Sequence, residues 1–324
     1  MIVVLAGGVG GARLARGVLG VLPAGALTVI VNTADDFEHL GLSISPDLDT
    51  VMYTLAGLEN ASQGWGLAGE TWSFMSALER LGGETWFRLG DRDLATHVER
   101  TRKLAAGAPL DQVTAHLCAT LGIDARVLPM TNDRVRTIVR SDEGALAFQE
   151  YFVRRQCAPR ISGFEFEGAA AAAASPSALS ALRDETLEAI VVAPSNPFVS
   201  VAPILAVPDL AKAIAHRTVP LVAVCPIVGA KAIKGPAAKM MTELGLEVSA
   251  LGIAQHYRDL IDGLVIDDAD AAAAQPIRDL GLAVRVTDTI MADDDGRCRL
   301  AADTLAFAAE LRADGRWRRR RPTV

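Results

Sequence analysis

Ile2-Val3-Val4-Leu5-Ala6-Gly7-Gly8-Val9-Gly10-Gly11-Ala12-Arg13-Leu14 runs from a β-branched apolar stretch, through a glycine turn, into a helix start. Beyond it Leu14, Val18, Val21 and Leu22 recur at helical spacing, and Leu27-Thr28-Val29-Ile30-Val31 reads as a second strand. A strand, a helix and a strand in that order imply a parallel pair with a right-handed crossover. Strand-like runs at 189–193, 219–225, 247–251, 263–267 and 283–287 repeat the alternation, with helices expected between them, for example at 236–244 and 256–262. The pattern predicts an α/β fold, a doubly wound Rossmann-like parallel sheet. Between 65 and 160 helical patterns dominate (71–82, 93–106, 110–121), broken by strand-like runs near 126–129 and 135–139. We read 1–64 with 161–324 as the core and 65–160 as a mostly helical insertion. The alanines at 169–174, followed by Ser175-Pro176-Ser177, read as a surface connection.

Composition narrows the function classes. Half of the 324 residues are hydrophobic and 22% are charged, with a net charge of −7. That supports a buried core and argues against a disordered chain or a general nucleic-acid binder. Cys118, Cys157, Cys225 and Cys298 are far apart, which predicts neither a disulfide framework nor a zinc site. No uninterrupted apolar run reaches the roughly 20 residues of a membrane span, and no leader is expected before Ile2, so a cytoplasmic setting fits. The arginines at 316 and 318–321 read as a solvated terminus or a contact to an anionic partner.

The glycine turn, Gly7, Gly8, Gly10 and Gly11, stands where a doubly wound fold places its phosphate loop. It is neither fingerprint of the common kinds: Arg13 occupies the sixth position counted from Gly8, and no Lys-Ser or Lys-Thr follows. A phosphate loop of another kind and a tight structural turn both fit. After the second strand, Asn32, Asp35, Asp36, Asp47 and Asp49 crowd into one segment. Carboxylates beside a phosphate loop suit Mg²⁺, which takes one or two of them and completes its shell with water and phosphate oxygens, so Asp47 and Asp49 are candidate metal ligands. Both also suit the first turn of a helix begun by Ser45. Arg92, in Gly90-Asp91-Arg92-Asp93, can bind a phosphate or carboxylate bidentately or pair with its acidic neighbours. Ser195 and Asn196 follow an apolar strand, where ligands meet parallel sheets or where two prolines merely shape a turn. Lys231 and Lys234 can neutralise phosphate or lie on the surface. The five histidines lack metal-ligand spacing and read as packing or surface residues.

Together these segments resemble the CofD (FbiA) family. The likeness rests on Ala6 to Leu14, on Val31-Asn32-Thr33-Ala34-Asp35-Asp36, and on the stretch from Ser43 to Tyr53 with its Ser45-Pro46-Asp47-Leu48-Asp49. It continues through Leu89 to His97, Pro194-Ser195-Asn196-Pro197 and Lys234-Gly235-Pro236-Ala237. Val9 stands where the family usually has Thr. The resemblance implies a Mg²⁺-dependent transfer of a phospho-three-carbon-acid group (2-phospholactyl, enolpyruvyl phosphate or 3-phosphoglyceryl type) from a guanosine diphosphate ester. The acceptor would be the ribityl hydroxyl of the deazaflavin Fo, with GMP released and F-420-0 or its dehydro form produced. It implies Asp49, Asp47 and Arg92 as the catalytic and deazaflavin-contacting residues, with Asp49 ahead of Asp47. Gly7, Gly8, Gly10, Gly11, Asn32, Asp36, Ser195, Asn196 and Lys234 would hold the nucleotide. The insertion would contribute to the deazaflavin site, and a homodimer is expected. Two other readings stand beside it: a CofD-like regulatory protein that binds a nucleotide sugar, and an NAD-dependent dehydrogenase. With only three Tyr, four Trp and nine Phe, the deazaflavin ring is expected to meet mainly backbone and aliphatic groups.

Overall fold

The computed structural model describes residues 1–61, 63–233, 235–315 and 317. Seven short apolar runs form its main sheet: β1 (Ile2–Ala6), β2 (Leu27–Val31), β3 (Arg126–Pro129), β4 (Ala189–Val192), β5 (Leu221–Val224), β6 (Gly263–Ile266) and β7 (Ala283–Val286). All neighbouring pairs are parallel, in the order β3-β2-β1-β4-β5-β6-β7. Such strands read as continuous apolar runs because helices cover both faces. Val3, Leu5, Ile30, Ile190 and Val192 point into one core. Ile2, Val4, Val29 and Val191 point into the other, beneath Leu14, Val18 and Val51. The chain winds outward from β1 to β3, then crosses back to β4 and winds the other way. The order reverses between β1 and β4, and ligands of doubly wound sheets sit in the crevice at the carboxyl ends beside that reversal.

Helices α1 (Gly8–Val21), α2 (Pro46–Leu55), α3 (Ser73–Arg80), α4 (Asp93–Ala105) and α5 (Leu110–Thr120) lie close to their expected positions. The stretch read as an insertion is more mixed than its helical pattern suggests. Its run at 126–129 returns to the main sheet as edge strand β3. Strands Arg136–Ser141, Gly144–Ala147 and Ile161–Glu167 build a separate antiparallel sheet.

Two further expectations are corrected. The run at 247–251 is no strand, because the Ser249 hydroxyl accepts the Gly252 N–H at 3.0 Å and starts the helix Ala250–Tyr257. The alanine tract is a surface connection by only half of its residues: Ala170, Ala171 and Ala173 are exposed. Ala169, Ala172 and Ala174 are buried, and the Thr131 hydroxyl donates to the Ala173 carbonyl at 2.6 Å. The terminal arginines lie outside the described residues. Among the described residues no single helix is long and apolar enough to cross a membrane.

Helix α1 crosses the helix Asp294–Asp314 at Gly17, where an added Cβ would run into the Arg297 carbonyl. Ala normally favours a helix over Gly by about 1 kcal/mol. Here Gly17→Ala is expected to destabilise by about 2 kcal/mol in urea unfolding, because two packed backbones must separate. A neutral or stabilising result would show that the crossing yields freely.

Candidate active site

The glycine turn is held from two sides. Gly8 takes φ of +64°, a left-handed conformation that glycine reaches without strain. The Gly7 N–H donates to Ser195 Oγ at 3.1 Å, and that hydroxyl donates back to the Gly7 carbonyl at 2.9 Å. The Gly8 N–H donates to Asp47 Oδ1 at 2.8 Å. A Cβ at Gly7 would meet the Asp47 carboxylate and Ser200, one at Gly10 the Pro194 carbonyl, and one at Gly11 the Ser195 hydroxyl. The glycines therefore let the segment after β4 lean on the turn. Gly7, Gly8 and Gly10 line the cleft above it, with Ser195 and Asn196.

The acids after β2 separate into two roles. Asn32 is buried and donates from Nδ2 to Asp47 Oδ2 at 3.0 Å and to the Val199 carbonyl at 3.1 Å. Asp47 and Asp35 line the cleft, whereas Asn32 and Asp36 are not among its lining residues. Asn32 and Asp36, both expected to hold the nucleotide, thus support the cleft from behind. Burial raises Asp47 to about 6, against hydrogen bonds from Asn32 and Gly8 that lower it. Burial, and then the Asp47 charge, raises Asp35 well above the ordinary range, and its Oδ1 is buried without a hydrogen-bond partner.

Asp36 accepts the Ser45 hydroxyl at 2.7 Å, and burial pushes it up to about 7. Its folded pKa exceeds the unfolded value near 3.9, so the unfolded state loses the proton first. Stability then falls as pH rises from about 4 to about 7. Asp36→Asn is expected to gain on wild type by a few kcal/mol between pH 5 and pH 8 in urea unfolding. A variant less stable than wild type at pH 8 would sink this account.

A second buried network joins α2 and α4. The Arg100 guanidinium clamps both Asp49 oxygens and is fully buried. His97 Nδ1 lies 3.7 Å from Asp49 Oδ2, and His97 Nε2 lies 3.2 Å from Asp93 Oδ2. The Tyr53 hydroxyl donates to Asp93 Oδ1 at 2.5 Å. Burial pushes Asp93 up, but His97, Tyr53 and Arg100 bring it below the ordinary range. Asp93, His97 and Arg100 share one face of α4 through their spacings of four and three residues. That spacing is the signal that could have marked Arg100 and moved His97 from packing residue to site residue.

Arg92 points elsewhere. It is exposed, donates from Nη1 to the Ala68 carbonyl at 2.8 Å, and is not among the cleft-lining residues. Arg88 lines the cleft instead, its guanidinium 4.1 Å from the Trp72 ring centre. Asp91 is used locally, accepting N–H bonds from Ser73 and Phe74 at 3.0 Å each at the start of α3. Lys231 is exposed, and Lys234 lies outside the described residues.

The cleft has a volume of about 620 Å³ and is lined by the glycine turn together with aromatic side chains. Trp65, Trp86, Phe87, Phe148, Phe152 and Tyr53 all line it, and the Phe148 and Phe152 rings stack at 5.3 Å. The aromatic content is low over the whole chain, yet six of its sixteen aromatic side chains meet here. Aliphatic side chains such as Val9, Ile44, Val199 and Ile233 line it as well.

Two groups could hold a cation. Asp49, Asp93 and His97 offer ligand atoms within 4.8 Å of one another, but Arg100 already supplies a positive charge to Asp49. Asp35 and Asp47 offer oxygens only, as hard cations prefer, and the unpartnered Asp35 Oδ1 fits such an ion. Asp47 also stands beside the α1 N-terminus, where a phosphate would meet a carboxylate unless a cation separated them.

A family model described as 2-phospho-L-lactate transferase CofD matches residues 2–296. A phosphoenolpyruvate transferase of Streptomyces griseus is 43% identical over 318 residues, covering 96% of this chain and 99% of its own. A 2-phospho-L-lactate transferase of Methanosarcina mazei is 36% identical over 299 residues, covering 92% and 97%. A crystal structure of a Bacillus halodurans protein superposes with a TM-score of 0.64 at 17% identity, covering 94% of this chain and 98% of that one. At that identity it speaks for the fold alone.

Proposed function

This chain belongs to the CofD family of transferases, and on that premise we propose that it moves a phospho-three-carbon-acid group from a guanosine diphosphate ester to the ribityl hydroxyl of Fo. The observation that carries this reading is one cleft lined by the glycine turn, Asp47 and six aromatic side chains. The glycine turn suits a phosphorylated donor and the aromatic side chains a planar ring. The relatives named phosphoenolpyruvate transferases stand at 41–43% identity, against 35–36% for those named 2-phospho-L-lactate transferases, which puts the enolpyruvyl donor first.

In this reading the ribityl oxygen attacks the distal phosphorus, the bond to the bridging oxygen breaks, and GMP leaves. Phosphoryl transfer is largely positioning and charge stabilisation. Asp49, raised by burial despite Arg100, suits taking the hydroxyl proton, and Arg100 and His97 hold it in place. Asp35 and Asp47 would hold Mg²⁺, which when bound neutralises charge on the diphosphate and the leaving group. The aromatic side chains of the cleft would pack the deazaflavin ring and exclude water. The N-terminal end of α1 would face the donor phosphates.

The test is a reaction of purified protein with Fo, Mg²⁺ and the three guanosine diphosphate esters in competition, read by mass spectrometry. GMP and a phosphodiester of Fo are expected, with the enolpyruvyl product dominant, and a chelator should abolish both. No product from any ester would overturn the proposal. Tight binding of a nucleotide sugar without Fo binding would replace it with a regulatory role.

A further inference from the structure

Three arginines gather on the flank of the cleft formed by α1 and the start of the helix Asp294–Asp314. Two of them are engaged. Arg297 is buried and reaches Asp294 at 2.9 Å and Glu59 at 3.1 Å. Arg16 donates to the Leu55 carbonyl at 2.7 Å and lies 3.8 Å from Asp294. Arg13 is half-buried and lines the cleft, and it has no hydrogen bond or ion pair to any described residue. Burial, and then the nearby Arg297 charge, weakens its hold on its proton, against the Glu59 charge that strengthens it, yet an arginine remains charged in proteins. A partly desolvated cation with no direct ion pair is unfavourable for folding alone.

Its surroundings suggest what it serves. Asp35, Asp47, Asp49 and Asp93 also line the cleft, so an anionic ligand meets mostly repulsion there. Of the other basic lining residues, Arg88 stacks on Trp72 and His97 faces Asp49 and Asp93. Arg13 stands five residues into α1, about 7.5 Å of helix rise, and helical side chains lean back toward the N-terminus. The guanidinium thus lines the same cleft as Gly7, Gly8 and Gly10, on the side of Arg297 and Glu59, and the positive dipole end of α1 opens into that cleft.

We propose that Arg13 is the anion-binding residue of the donor subsite, its guanidinium taking the diphosphate of the nucleotide. The proposal rests on the transferase reading for the identity of the donor.

Titration calorimetry with GDP and with guanosine, on wild type, Arg13→Gln and Arg13→Lys, tests it. Arg13→Gln is expected to weaken GDP binding at least about tenfold and to leave guanosine binding unchanged. Arg13→Lys should recover part of the loss, and the Tm of Arg13→Gln should not fall, since a like-charge contact is relieved. GDP binding within twofold of wild type in Arg13→Gln overturns the proposal, as does a wild type that binds no GDP. A lowered Tm with no recovery in Arg13→Lys would make the role structural and also overturn it. If only the KM for the ester rises while GDP binding holds, the anion is the acid's carboxylate and the diphosphate assignment fails. Wild type that binds GDP through Arg13 yet forms no product from any ester overturns the transferase reading and leaves this assignment standing.

Discussion

Asp47→Ala is expected to lower kcat/KM by about a thousandfold, near 4 kcal/mol of transition-state stabilisation. The carboxylate meets the Gly8 N–H at the glycine turn and Asn32 behind it, and on our reading it helps to hold Mg²⁺. Its removal takes the acceptor from the half-buried Gly8 N–H and one of the two acceptors from the buried Asn32 amide, and a buried donor left unpaired costs about 1–3 kcal/mol, so stability must be measured beside activity. Asp47→Asn separates the contributions. Its amide oxygen can still accept from Gly8, but its NH₂ faces the NH₂ of Asn32, and it carries no charge for a cation. Most of the fold stability should return with little of the activity. If Asp47→Asn transfers at near wild-type rate, the charge on Asp47 has no part in the reaction.

Arg100→Met is expected to destabilise the fold by about 3–5 kcal/mol at neutral pH, the usual cost of stripping one partner from a buried ion pair. Arg100 is fully buried and clamps Asp49, and methionine fills part of the volume without supplying a donor. The loss depends on pH in a definite sense. Burial already raises Asp49, and Arg100 works against that rise. Without Arg100 the folded pKa climbs further above the unfolded one, so stability declines as pH rises between the two values. The defect should be larger at pH 8 than at pH 5.5 in urea unfolding. The double variant with Asp49→Asn should regain much of the loss, because the orphaned charge is gone. Equal defects at both pH values, or no recovery in the double variant, would locate the cost in packing and not in charge.

The main elements were legible because they are local. β1, the glycine turn, α1 and β2 follow from periodicity within the first 31 residues. Asp47 and Asp49 are marked by their place in the first turn of α2, and the ordered alternation of apolar strands and helices predicts a doubly wound parallel sheet. Local signals misled where a short apolar run suits either state, as at 247–251, which Ser249 turns into a helix start.

What periodicity cannot carry is the direction of a side chain across long separations. Arg92 and Arg88 are both arginines in one loop, yet only Arg88 lines the cleft. Arg100 meets Asp49 from 51 residues away, and Ser195 seals the glycine turn from 188 residues away. Composition, likewise, averages over the chain, whereas packing brought six aromatic side chains to the lining of one cleft. The sequence alone thus determined the kind of sheet, its glycine turn and the acids at its edge, since hydrophobic period and turn chemistry act over a few residues. The tertiary structure alone decided which acids share the cleft, which of its arginines have no ion pair among the described residues and where the rings collect, since those depend on how every packed element is rotated against the others.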